Sequence, residues 1–161
     1  MITPPRHEVS AVSPSEILET AGSVLVVDWP STDVPESLAR AGFQVVVQGG
    51  PGPGDYSTYE FNDSGDVISR AVGHAPERAD LIYSYRPFSE LPGIIASAKT
   101  LNATAIWTQS GLSAAGVRDP RGCWLSIDEQ PAARTLVEGA GLKHVFHPYI
   151  GDVAREVRAS R

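Results

Sequence analysis

The chain has 161 residues, of which 42% are hydrophobic and 20% charged, and its formal net charge is −6. That length suits one domain with a core large enough to stand without staples. The acidic balance excludes a strongly basic nucleic-acid surface and a polybasic membrane anchor. A single cysteine, Cys123, excludes an intramolecular disulfide and a multi-cysteine metal site. Within its apolar run Cys123 reads as a small buried hydrophobe.

Residues 1–12 are polar and proline-containing and read as a loosely ordered segment ahead of one domain over 13–161. They lack the charged-then-apolar pattern of a secretory leader. No apolar run approaches the roughly 20 residues needed to cross a bilayer. A soluble, cytoplasmic protein is the expectation. Ser13, Pro14 and Glu16 form a helix start, with a capping box and Pro at the first helical position.

Short, continuous apolar runs follow at 23–28 (SVLVVD), 44–47 (QVVV), 80–84 (DLIYS) and 104–108 (TAIWT), with weaker ones at 123–127 and 143–147. Runs of this length and composition suit strands buried on both faces. Helical signals lie between them. Asp33, Ser64, Ser89 and Asp128 each stand at the head of a helical pattern as candidate caps, and Gly42 and Gly141 as stops. The pattern after Ser64 carries Val67, Ile68, Ala71 and Val72. The tail DVAREVRASR reads as a solvated end. Strand–helix alternation of this kind predicts an α/β fold, a single Rossmann-like open parallel sheet with helices on both faces.

Ligands of such sheets bind beyond the carboxyl ends of the strands, where strand order reverses. Four loops therefore matter: 28–33, 48–56, 85–89 and 109–111. The first reads DWPSTD and lacks the Gly-x-Gly-x-x-Gly of a dinucleotide turn. Asp28 and Asp33 oppose a phosphate there, whereas Ser31, Thr32 and the following helix N-terminus offer hydrogen bonds to an anion. The second, QGGPGPGDY, resembles a phosphate loop only in its glycines. Pro51 and Pro53 have no N–H to give, and no Lys-Ser/Thr pair follows. It reads either as a proline-stiffened wall of the crevice or as a plain connection.

The stretches ADLIYSYRPFSELPGII (79–95) and ATAIWTQSGL (103–112) resemble the small bacterial CoA-binding proteins, whose Rossmann-like domain is similar to the CoA-binding domain of succinyl-CoA synthetase. The resemblance rests on Tyr85, Arg86 and Pro87, followed by Trp107, Gln109 and Gly111 in a Trp-x-Gln-x-Gly pattern, and extends in outline over 23–152. It implies a coenzyme A site at the strand ends. The phosphates would lie near Trp29, Pro30, Ser31 and Thr32, and the adenine near Gln48 and Gly49. Gln109, Ser110 and Gly111 would stand close by. Arg86 would supply positive charge or a stacking plane; its competing role is a surface hydrogen bond to the neighbouring loop. This chain departs from the family in three places. Asp28, Trp29 and Pro30 replace a Gly-x-Ser turn, Gln48, Gly49 and Gly50 replace an Asn-Pro pattern, and residues 113–128 form an insertion.

Catalytic chemistry is not evident. His144 and His147 lie three apart on an expected strand and so point to opposite faces, and His7 and His74 lack matching ligands. No nucleophile elbow is present, and Tyr83 and Tyr85 read as core residues with wet hydroxyl ends. The first expectation is a non-catalytic module binding CoA, an acyl-CoA or a related adenine nucleotide. The second is the same fold acting through protein contacts after losing its ligand, and the third an NAD-linked enzyme.

Overall fold

The computed structural model describes residues 13–28, 32–50, 52–86, 88–108, 127–146 and 150–158. Seven strands form one sheet in the order β4-β3-β2-β1-β5-β6-β7. They are β1 (Ser23–Val27), β2 (Gln44–Gln48), β3 (Tyr56–Phe61), β4 (Val67–Val72), β5 (Leu81–Ser84), β6 (Ala105–Thr108) and β7 (Lys143–Phe146). The strands β2-β1-β5-β6-β7 are parallel. The β3–β4 hairpin adds two antiparallel strands beyond β2. The fold is thus the expected α/β arrangement, with a mixed rather than wholly parallel sheet.

Side chains of adjacent strand residues point to opposite faces, so each parallel strand feeds two cores. Val24 and Val26 of β1, Tyr83 of β5 and Trp107 of β6 face three helices: α1 (Pro14–Thr20), α2 (Asp33–Arg40) and α5 (Ile150–Arg158). Leu25 and Val27, with Ile82 and Ile106, face α3 (Leu91–Thr100) and α4 (Gln130–Gly139). This explains why the parallel strands read as unbroken apolar runs. Ser13 caps α1 as expected, accepting the Glu16 N–H at 3.3 Å. Helices α2 and α4 end on Gly42 (φ 99°) and Gly141 (φ 86°), where the left-handed turn suits glycine. The next residue's N–H then reaches back to the helix, Phe43 to Leu38 and Leu142 to Val137.

Several expectations are corrected. The helix expected after Ser64 is strand β4. Asn62 Oδ1 accepts the N–H groups of Ser64 and Asp66 at 3.0 and 2.9 Å, and Gly65 takes a φ of 87°. These form a tight hairpin turn that hands β-branched Val67 and Ile68 to the sheet. Asp33 is the first residue of α2 after Thr32, with no capping bond from the Thr32 side chain. Ser89 and Asp128 lie in single 3-10 turns, and Glu90 and Glu129 precede α3 and α4. Up to residue 158 the tail is not a solvated end: α5 buries Ile150, Val153, Ala154 and Val157 against the α1/α2 side of the core. The loosely ordered segment 1–12 and residues 123–126 of the strand expected at 123–127 lie outside the described residues, and Ile127 begins a 3-10 turn. Among those described, no helix is long and apolar enough to cross a membrane.

Candidate functional site

The order reverses at β1. From β1 the chain passes through α2 to β2 on one side; from β5 it passes through α3 to β6 on the other. The two connections leave on opposite faces and open a crevice at the strand ends, as doubly wound sheets require. Backbone bonds fix its floor. The Asp28 N–H donates to the Gln48 carbonyl at 2.8 Å, and the Tyr85 N–H to the Val27 carbonyl at 3.1 Å. Asp28 takes a left-handed φ of 61°, a conformation that Asp tolerates better than most side chains.

The crevice is a cleft of about 740 Å³ on the α3 side, lined by Val27 and Asp28, by Gln48, Gly49 and Gly50, by Arg86, and by Ser89, Glu90, Gly93, Ile94 and Ser97. This volume lies in the range of small-molecule and cofactor sites. A narrower hollow of about 240 Å³ adjoins it through Gln48 and Ser97 and runs between α3 and Pro76. Gly93 and Ser97 lie four apart on α3, so small side chains keep that wall low.

Arg86 dominates the electrostatics. Its Nε and Nη2 donate to the two carboxylate oxygens of Glu90 at 2.9 and 2.6 Å, a bidentate fork. Its Nη1 donates to Asp28 Oδ2. The Arg86 bonds hold the Glu90 carboxyl below the usual glutamate range. Glu90, and less strongly Asp28, raise Arg86 above the usual arginine value. The cleft thus presents two carboxylates against one guanidinium.

The glycine-rich loop closes on itself. The Gly49 N–H donates to the Asp55 carbonyl at 2.9 Å and the Gly52 N–H to the Asp55 carboxylate at 2.9 Å. A side chain on Gly50 would place its Cβ 2.7 Å from the same carboxylate. Asp55 itself takes the Gly49 and Gly52 donors, so the loop is a wall rather than a phosphate cradle.

Of the expected site residues, Gln48, Gly49 and Arg86 meet in this cleft, joined by Asp28. Thr32 is exposed at the head of α2 and does not line it. Tyr85 is buried, as is Tyr83, which corrects their expected wet ends. Burial raises the Tyr83 hydroxyl well above the ordinary tyrosine value, and Asp33 adds to this. Trp107, the first residue of the Trp-x-Gln-x-Gly pattern, is a core residue at 0% exposure. Trp29, Pro30, Ser31, Pro87, Gln109, Ser110 and Gly111 lie outside the described residues. Sequence reasoning missed Glu90, although its spacing of four from Arg86 was a readable signal.

A second polar feature sits beneath α4. His144, fully buried on β7, has its Nε2 2.9 Å from the Thr108 hydroxyl. Its Nδ1 has no partner among the described residues. Burial pushes its pKa down to about 4, helped by nearby Arg134. Among the described residues no three His, Cys, Asp or Glu side chains are grouped to hold a metal. No protein-family model matches the sequence, and searches of curated proteins and of solved structures return no match.

Proposed function

We propose that the protein is a non-catalytic module holding a small adenylated ligand, of the coenzyme A class, in the cleft beside α3. One observation carries the reading: Asp28, Gln48, Gly49 and Arg86, from three separate strand ends, line a single cleft at the point of strand-order reversal. The resemblance of 79–95 and 103–112 to CoA-binding proteins supplies the ligand class. Carboxylates that accept hydrogen bonds suit ribose hydroxyls, an adenine amino group and amide N–H groups. Ligand phosphate competes with Asp28 and Glu90 for Arg86, and binding requires Arg86 to exchange one carboxylate for it. The acid–base groups of the cleft are locked in an ion-pair network, which supports binding rather than turnover.

The Asp28–Arg86–Glu90 network also favours a second reading, a fold that acts through protein contacts alone. Thermal melting with CoA, acetyl-CoA, NAD, NADP, ATP and AMP separates the two, because a ligand selective for the folded state raises the melting temperature by mass action. The proposal expects concentration-dependent stabilisation by CoA or acetyl-CoA exceeding that by NAD. Stabilisation by NAD alone, or by none of the six, overturns it.

A further inference from the structure

β4 is an edge strand with an open side. It pairs only with β3 among the described residues. Edge strands are normally blunted with lysine, proline or a bulge. β4 has the sequence VISRAV with six residues in continuous register; it has no lysine, proline or bulge, and Arg70 is its one charged side chain.

Hydrogen-bond parity shows which groups the edge offers. At the hairpin turn the Asn62 N–H donates to the Asp66 carbonyl at 2.8 Å. Backbone direction alternates along an antiparallel strand. Ile68, Arg70 and Val72 therefore turn their backbone groups to β3, while Val67, Ser69 and Ala71 present theirs outward. The ladder on the far side of β3 agrees, since the Gly49 N–H bonds to the Asp55 carbonyl and sets the odd residues of β3 towards β2.

Side-chain chemistry selects the partner. Asp66, Ile68 and Arg70 share the sheet face opposite Val67, which packs against the α2 side. Ile68 is 42% exposed. No ion pair engages Asp66 or Arg70 among the described residues. A second copy set antiparallel about a two-fold axis at Ile68 pairs Val67 with Ser69 of the other copy through their outward backbone groups. The same register sets Ile68 against Ile68 and each Asp66 against the opposite Arg70 as directly facing cross-strand pairs. One register thus satisfies backbone, apolar and charge complementarity, and it is isologous.

We infer that this face is a self-association site, where two copies join β4 to β4 into one continuous sheet with Asp66 and Arg70 as reciprocal ion pairs. The inference does not depend on the ligand. Sedimentation equilibrium of the full chain, up to the millimolar concentrations at which so small an interface forms, tests it. Wild type is expected to show a reversible monomer–dimer equilibrium. Asp66→Arg and Arg70→Asp each place like charges face to face and are expected to weaken it at least several-fold. The double variant, Asp66→Arg with Arg70→Asp, is expected to restore it. Ser69→Pro removes one outward N–H and is expected to abolish it, with circular dichroism confirming the fold. A wild type that stays monomeric throughout overturns the inference. So does a dimer indifferent to the single charge changes, or one that the double variant fails to restore.

Discussion

At the scale of single residues, Arg86 is the group on which the site turns. As the fork between Asp28 and Glu90 it contributes to the fold as well as to the cleft. Arg86→Ala leaves two carboxylates facing each other across the cleft. Side-chain exposures of 25% for Arg86, 38% for Asp28 and 47% for Glu90 keep the cost modest, about 1 kcal/mol after allowing for solvent screening. Urea unfolding of the variant should show that loss, and its ligand-induced thermal shift should vanish. Asp28→Asn, whose side chain also tolerates the left-handed backbone, should instead strengthen CoA binding, because Arg86 then gives up one partner more easily. Equal affinity in Asp28→Asn and wild type would contradict the exchange of partners.

His144 makes a second residue-scale statement. Its folded pKa of about 4 lies below the ordinary 6.5, so the unfolded chain takes up the proton first as pH falls. Its contribution to stability is complete above about pH 6.5, drains away as pH falls towards 4, and is constant below that. The full difference is about 3 kcal/mol. Wild type should lose about 2 kcal/mol of unfolding free energy between neutral pH and pH 5. His144→Phe should lose less than half as much over that interval. An unchanged pH dependence in the variant would show that the buried imidazole is not the cause.

At the scale of elements, legibility followed burial. The strands β1, β2, β5 and β6 are covered on both faces and read as apolar runs, and Ser13, Gly42 and Gly141 stated the helix boundaries through their own chemistry. The β3–β4 hairpin did not announce itself because much of it is covered on one side only. Val67, Ile68, Ala71 and Val72 satisfy a helical spacing as well as a strand, and what decided between them was the turn at Asn62 and Gly65. Strand β3, YSTYEF, is rich in Thr, Tyr and Phe and alternates over residues 59–61, which was a usable signal. Helix α5 was obscured by charge: exposed Arg155 and Glu156 interrupt the apolar spacing of Ile150, Val153, Ala154 and Val157. Candidate caps failed by one residue at α2, α3 and α4 because a 3-10 turn or an uncapped residue precedes each helix.

At the scale of the whole molecule, the place of the crevice was legible and its charge was not. A parallel sheet with crossovers on both faces creates a rim crevice by topology alone, and three of the four expected loops contribute to it in the described structure. Which donors remain free there depends on pairings between residues distant in sequence. Asp28 and Arg86 stand 58 positions apart, and Asp55 takes the loop N–H groups that a phosphate would have used. The cleft therefore presents two carboxylates and one cation that both of them already engage.

The central claim, that an adenylated ligand rests in this cleft, is tested most directly by titrating the isotopically labelled protein with CoA and following its backbone amide resonances. The account predicts saturable shifts concentrated at Asp28, Gly49, Gly50, Arg86, Ser89 and Gly93, with the α5 and β4 amides unmoved. Saturable shifts centred elsewhere, or none at all, would contradict it.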